Sequence, residues 1–223
     1  MKTVIFDLDG TLADTGKDLL AAANACFRGL GHGDLLDLET DQATAFAGGR
    51  AMLGLGFSRL GLKEAEALID QQFPLLLQHY GAQIDRYTRL YDGVEPALAQ
   101  LAKAGYRLGV CTNKPEALAE TLLQKLGIRP LFQSLIGADT LTQRKPDAAP
   151  YHAAVERAGG TVGRSVLIGD TITDRNTATA AGVPVVLVTF GPSGRAVAQM
   201  QPEGLLEHYD QLFGLVEQLI DGA

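Results

Sequence analysis

Two hydrophobic rhythms alternate along the chain. Five short runs rich in β-branched residues, Thr3-Val4-Ile5-Phe6, Arg107-Leu108-Gly109-Val110-Cys111, Ser134-Leu135-Ile136, Ser165-Val166-Leu167-Ile168 and Val185-Val186-Leu187-Val188, are continuous rather than alternating. That is the pattern of strands buried on both faces of a parallel sheet. Between them the apolar positions recur with helical spacing, over 94–104, 115–126 and 150–158, with proline near the start or glycine just past the end. Strands alternating with helices predict an α/β fold built on a doubly wound parallel sheet.

The first two strands are separated by roughly a hundred residues, far more than a crossover helix needs. Residues 16–88 carry only helical patterns, with Leu19, Leu20, Ala23 and Phe27 on one face and Leu68, Ile69, Phe73, Leu76 and Leu77 marking another. The expectation is an all-helical cap domain at 16–88 inserted into a core domain of 1–15 and 89–223. Its hinges are expected at Asp14-Thr15-Gly16 and Tyr91-Asp92-Gly93. Within the insert, Lys17, Arg59 and Lys63 fit solvated helix faces. Gly48-Gly49-Arg50 is the candidate substrate contact, because the glycine pair admits close backbone approach and Arg50 can grip a carboxylate with two hydrogen bonds.

Composition narrows the function. The chain has 223 residues, 46% of them hydrophobic, and a formal charge of -7. The length allows one domain with an insertion or two unequal domains. The negative charge offers no basic face for a nucleic acid or an anionic membrane, so neither is expected as a partner. Cys26 and Cys111 have no paired spacing and read as core thiols of a reducing compartment. The apolar run after Met1 is cut by Asp7, too early for a secretory signal, so the protein is expected to be cytoplasmic, as a monomer or weak homodimer.

Polar residues follow four of the five strands, where open α/β sheets assemble ligand sites. Asp7-Leu8-Asp9-Gly10-Thr11 follows the first, Thr112-Asn113-Lys114 the second, Lys145-Pro146 lies beyond the third, and Gly169-Asp170 with Asp174 follows the fourth. Asp7 and Asp9 are separated by one apolar residue, so both can face one reacting centre, while Gly10 lets the chain turn away. Asp170 joins them if strand four lies beside strand one. Carboxylates so close repel by up to about 4 kcal/mol per pair at an effective dielectric near 20, which calls for a cation. An all-oxygen donor set selects Mg²⁺, and the four histidines show no metal-ligand spacing. Lys145 and the Thr112 hydroxyl are expected to hold phosphate oxygens, helped by a helix that opens at Pro115.

These four clusters, in this order, resemble the motifs of the haloacid dehalogenase superfamily, in its phosphoglycolate phosphatase-like branch with a helical cap. The resemblance spans nearly the whole chain. It implies a Rossmann-like core in which Asp7 is the nucleophile and Asp9 the general acid and then base. It further implies Mg²⁺ held by the side chains of Asp7 and Asp170 and the backbone carbonyl of Asp9, with Thr112, Asn113 and Lys145 on the phosphate. Asp174 supports the metal or orients Lys145, and Gly10 and Thr11 complete the first loop. The implied activity is hydrolysis of a small phosphorylated metabolite through an aspartyl-phosphate, with 2-phosphoglycolate the first candidate because Arg50 can meet its carboxylate. A phosphosugar mutase or another sugar-phosphate or pyrophosphate phosphatase would use the same first steps. A dehalogenase would lack the second carboxylate and need no metal, whereas Asp9 and Asp170 are both present, and a phospho-aspartate switch domain would be a much shorter chain.

Overall fold

The computed structural model describes residues 1–62 and 64–221, so Lys63 lies outside the described residues. The chain divides into two compact units, one of Met1–Ala13 with Leu90–Ala223 and one of Asp14–Arg89.

The first unit is built on a six-stranded parallel sheet. In chain order its strands are β1 (Thr3–Phe6), β4 (Arg107–Cys111), β5 (Ser134–Ile136), β6 (Ser165–Gly169), β7 (Val185–Val188) and β8 (Gly204–Leu206). Two further short strands, β2 (Ala13–Asp14) and β3 (Arg89–Leu90), pair in a separate two-stranded sheet. The order across the large sheet is β5-β4-β1-β6-β7-β8. The chain therefore winds outward from β1 to one edge, returns to β6 on the other side of β1, and winds outward again. That reversal beside the central strand is the doubly wound topology, and it places the switch point between β4, β1 and β6. Phe6 stands opposite Val110 on one side and Ile168 on the other, so the residues after these strands emerge side by side.

Helices cover both faces. Ile5, Cys111, Ile136, Leu167, Val185 and Leu187 pack with Tyr151, Ala154 and Val155 of α7 (Ala148–Arg157) and Ala178 of α8 (Ile172–Ala181) in one buried cluster. Alternate strand residues, among them Val4, Phe6, Leu108 and Val166, are also fully buried, as continuous apolar runs require. Leu98 and Leu101 of α5 (Val94–Lys103) and Leu212 and Val216 of α9 (Leu212–Asp221) are buried as well. Gly109 leaves room for side chains of the neighbouring strands: a Cβ there would fall 2.3 Å from Ser134 Oγ and 2.7 Å from Ile5 Cδ1.

β8 was not among the five expected strands. It has three residues at the sheet edge, too few to show a period. Its start is tied in by Glu203, which accepts from the Val185 amide at 2.9 Å and from Arg175 at 3.1 Å. The helix expected over 115–126 is α6 (Glu116–Lys125), preceded by Pro115 in an extended conformation.

Among the described residues, the second unit contains α1 (Gly16–Gly29), α2 (Gln42–Phe46), α3 (Gly49–Arg59) and α4 (Glu66–Ala82) and no strand beyond the residues of β2 and β3 at its ends. Leu20, Ala23, Phe27, Met52, Leu53, Phe57, Ile69 and Leu76 form its interior. Gly56 admits the Phe27 ring, which a Cβ would meet at 2.1 Å. Two buried polar side chains fasten its loops: Asn24 accepts from the Leu35 and Leu36 amides, and Asp18 accepts from the Tyr87 and Thr88 amides and the Thr88 hydroxyl. Lys17 pairs with Glu39, and Arg59 grips both oxygens of Asp41 at 2.7 Å. No helix among the described residues is long and apolar enough to cross a membrane. Cys26 and Cys111 are buried free thiols, pushed up to about 11 and about 12 by burial.

Candidate active site

The ladder continues one residue past β1, because the Asp7 amide donates to the Ile168 carbonyl at 2.9 Å. This bond sets Asp7 next to the end of β6. The chain then turns sharply: the amides of Leu12 and Ala13 both return to the Leu8 carbonyl, and Gly10 sits at φ 79°, a conformation open to glycine. The turn is pinned from two directions. Thr11 Oγ1 donates to Asp170 Oδ1 at 3.1 Å, and the buried Tyr209 hydroxyl donates to the Thr11 carbonyl at 2.8 Å.

Lys145 is the hub. Its side chain is 2% exposed, and its ammonium lies 2.6 Å from Asp174 Oδ1 and 3.0 Å from Asp7 Oδ2. Burial alone would discharge it, but Asp174 and Asp7 more than offset that cost and raise its pKa, so it stays cationic. Its backbone is fixed by Asn113, whose Nδ2 donates to the Lys145 carbonyl at 3.0 Å. Asn113 thereby ties the loop after β4 to the segment beyond β5.

Asp174 is fully buried and fully engaged. Its Oδ1 takes Lys145, and its Oδ2 accepts from the Asp170 amide, the Thr171 amide and the Thr171 hydroxyl at 3.0–3.2 Å. The contacts with Thr171 form a capping box that starts α8. Gly169 makes room for this carboxylate, which a Cβ would meet at 2.3 Å. Gly191, from the loop after β7, similarly passes the Gly10 carbonyl at a distance where a Cβ would stand 2.8 Å away.

Asp7, Asp170 and Asp174 each offer an oxygen within 4.8 Å of the others. Only Lys145 among the described pairs answers this cluster, so negative charge is in surplus. Burial, partly opposed by Lys145 and reinforced by Asp174 and Asp9, pushes the Asp7 carboxyl up to about 6. Burial together with Asp174 and Asp7 holds Asp170 well above the usual carboxylate range. Asp170 Oδ2 is buried without a hydrogen-bond partner. An orphaned buried oxygen among surplus carboxylates is the donor set of a hard cation, and the triad fits a metal site. With both of its own oxygens engaged, Asp174 serves to orient Lys145 and the β6–α8 turn.

Asp9 points elsewhere. Both its oxygens meet the ammonium of Lys114, at 2.7 and 3.0 Å, and Lys114 is buried. The sequence presents Lys114 only as the third residue of a motif, and its partner could not be read from spacing. Thr112 is also buried, its hydroxyl accepting from the Lys114 amide at 3.2 Å. The first amide of α6 is occupied by Asp139 at 2.8 Å, which reduces the anion-binding capacity expected of that helix start.

Arg50 belongs to the helical unit, in the first turn of α3. Its guanidinium bonds Asp70 and Glu66, each at 2.7 Å.

Residues 4–188 match the model of the haloacid dehalogenase-like hydrolases, and the chain belongs to that family: it is a hydrolase with the fold of the class. Within the class it is 38% identical over 223 residues to a phosphoglycolate phosphatase of Mesorhizobium japonicum, covering 99% of this chain and 97% of that one. It is 37% identical to a phosphoglycolate phosphatase of Agrobacterium fabrum, over 97% of this chain and 93% of that one. Among solved structures, one described as a predicted phosphoglycolate phosphatase from Haemophilus somnus superposes with a TM-score of 0.81 at 24% identity, covering 96% of this chain and 97% of that one; this likeness bears on the fold.

Proposed function

We propose that the protein is a Mg²⁺-dependent phosphomonoesterase whose substrate is 2-phosphoglycolate, cleaved through phosphorylation of Asp7. The observation that carries this reading is the meeting of Asp7, Lys145 and the half-unpartnered Asp170 at the switch point of the sheet. The substrate assignment is supported by full-length relatives named for that activity.

The residues divide the chemistry. Asp7 needs no partner base once ionised, and its Oδ attacks phosphorus as the bond to the leaving oxygen breaks. Asp9 gives its proton to that oxygen, then takes one from the water that cleaves the aspartyl-phosphate, so ester and water become alcohol and phosphate and Asp9 ends as it began. Lys145, fixed by Asp174 and Asn113, places a cation on the transferring group without needing to reorganise. The side chains of Asp7 and Asp170 and the carbonyl of Asp9 would hold Mg²⁺, which when bound neutralises charge on the phosphoryl oxygens. Thr112, with its hydroxyl at the mouth of β4, is assigned a phosphate contact.

The test is a panel of phosphoglycolate, sugar phosphates, nucleotides and pyrophosphate, with and without Mg²⁺. Release of inorganic phosphate fastest from phosphoglycolate, and only with the metal, is expected. Transfer of phosphate to a sugar instead of water would favour a mutase, and full activity of Asp7→Asn would refute the nucleophile.

A further inference from the structure

We infer that Tyr209 is a positioning residue for the metal site: its hydroxyl, acting through Thr11, fixes the carboxyl of Asp170 in the orientation that receives a divalent ion. The inference rests on the phosphatase reading above and deepens it.

The backbone and the carboxyl of Asp170 are held by different partners. Its amide donates to Asp174 Oδ2 at 3.2 Å, which fixes the main chain. Its carboxyl is oriented among the described residues by one hydrogen bond, from the Thr11 hydroxyl to Oδ1 at 3.1 Å, and Oδ2 is left for a cation. The terminal torsion of an aspartate is broad, so the group that grips one oxygen decides where the other points. Thr11 is that group.

Thr11 must be fixed in its turn, and the local loop does this weakly. Its amide meets the Leu8 carbonyl at 3.4 Å, long for a hydrogen bond, and it follows Gly10, whose backbone is the least restrained of any residue. The short bond at this point comes from 198 residues away: the Tyr209 hydroxyl reaches the Thr11 carbonyl at 2.8 Å. Thr11 is fully buried, so without that donor its carbonyl has no water to turn to, and the loop must shift to find a partner.

Tyr209 is seated firmly enough to do this. It is 1% exposed, its ring lies 5.5 Å from that of Phe190, and Phe190 lies 4.9 Å from Tyr91. Gly93 lets the chain pass so close that a Cβ there would stand 3.0 Å from Tyr209 Cβ. Burial holds the phenol well above its ordinary range, so it keeps the proton it donates. Packing against Phe190 would be served as well by a phenylalanine. A hydroxyl buried in an aromatic cluster costs desolvation, and here the bond that offsets it goes to the loop that orients Asp170.

The test measures Mg²⁺ binding by calorimetry without substrate, on the full chain as wild type, Tyr209→Phe, Thr11→Val, Thr11→Ser and the double variant of Tyr209→Phe with Thr11→Val. Tyr209→Phe should weaken Mg²⁺ about 10-fold and Thr11→Val about 30-fold, the range for groups that orient a metal's ligands. Thr11→Ser keeps the hydroxyl and should stay within about threefold of wild type. Because Tyr209 acts through Thr11, adding Tyr209→Phe to Thr11→Val should weaken binding by less than about twofold more. Unchanged Mg²⁺ affinity in a Tyr209→Phe protein of lowered melting temperature would mean that the hydroxyl only supports packing, and would overturn the inference while leaving the phosphatase reading in place. Unchanged affinity in Thr11→Val would overturn it equally, whether or not the Tyr209 variant folds, and so would losses that add in full. A wild type that binds no Mg²⁺ would overturn the metal site itself, and the inference with it.

Discussion

Among the described residues, Lys145 and Arg50 each stand between two carboxylates, and the two arrangements differ in almost everything else. Lys145 sits at 2.6 Å from Asp174 and 3.0 Å from Asp7 with 2% of its side chain exposed. Arg50 sits at 2.7 Å from both Glu66 and Asp70 with 49% of its side chain exposed. The exposed trio costs little to form and contributes little, because water screens it and could replace every bond. The buried trio takes three charges out of water, an expense that pairing repays only in part. A fold retains such a cluster where chemistry needs it. Distance alone would rank the two alike, whereas burial separates them.

The contrast can be broken at its strong end first. Asp7→Asn should lower turnover by at least about 10⁴-fold in a phosphate-release assay, because the attacking carboxylate oxygen is lost. Lys145→Met should come next, reducing kcat by roughly 10³-fold and destabilising the metal-free fold by about 3 kcal/mol or more in urea titration, since Asp7 and Asp174 lose their cation. Recovery of stability on adding Mg²⁺ to that variant would sharpen the point.

The pH dependence follows from Asp7, which the fold holds near 6 against an ordinary 3.8. A carboxyl raised in the folded state favours folding fully below its unfolded pKa, and that contribution is lost as pH climbs through the folded one. The metal-free protein therefore gives up as much as about 3 kcal/mol from this group between pH 4 and 7. A divalent ion should reverse the loss, so Mg²⁺ should raise the melting midpoint more at pH 7.5 than at pH 5, and Asp7→Asn should flatten the difference. Tyr209→Phe, which removes the hydroxyl holding the Thr11 carbonyl, should cost about 1 kcal/mol and a few-fold in kcat. Arg50→Ala should leave the melting midpoint within about 2 °C of wild type. A large fall there would erase the distinction drawn between the two trios.

Much of the buried cluster was legible before any coordinates, for a physical reason. Apolar runs define where strands end, and polar residues just past those ends have no structural duty in the core, so Asp7, Thr112, Lys145 and Asp170 announce themselves. The β4-β1-β6 adjacency follows from the winding rule. Pairings were not legible. The pairing of Lys145 with Asp174 comes only as one of two alternatives from the family resemblance, and nothing in the order of residues says that Lys114 faces Asp9, because each choice depends on how loops after different strands lean. Tyr209 was silent for the same reason, lying 198 residues from the carbonyl it holds. β8 escaped because three residues carry no rhythm. Arg50 shows the same limit: arginine beside glycines reads as a candidate ligand contact, and its bonds to Asp70 and Glu66 on the following helix could not be read from the order of residues.

The central claim is that phosphate passes through Asp7. Wild-type protein should be quenched during turnover of phosphoglycolate with Mg²⁺, reduced with borohydride and mapped by mass spectrometry. The account predicts that residue 7 alone is recovered in the reduced form that an acyl phosphate yields. Reduction at a different aspartate, or phosphate release at full rate with residue 7 never modified, would contradict it.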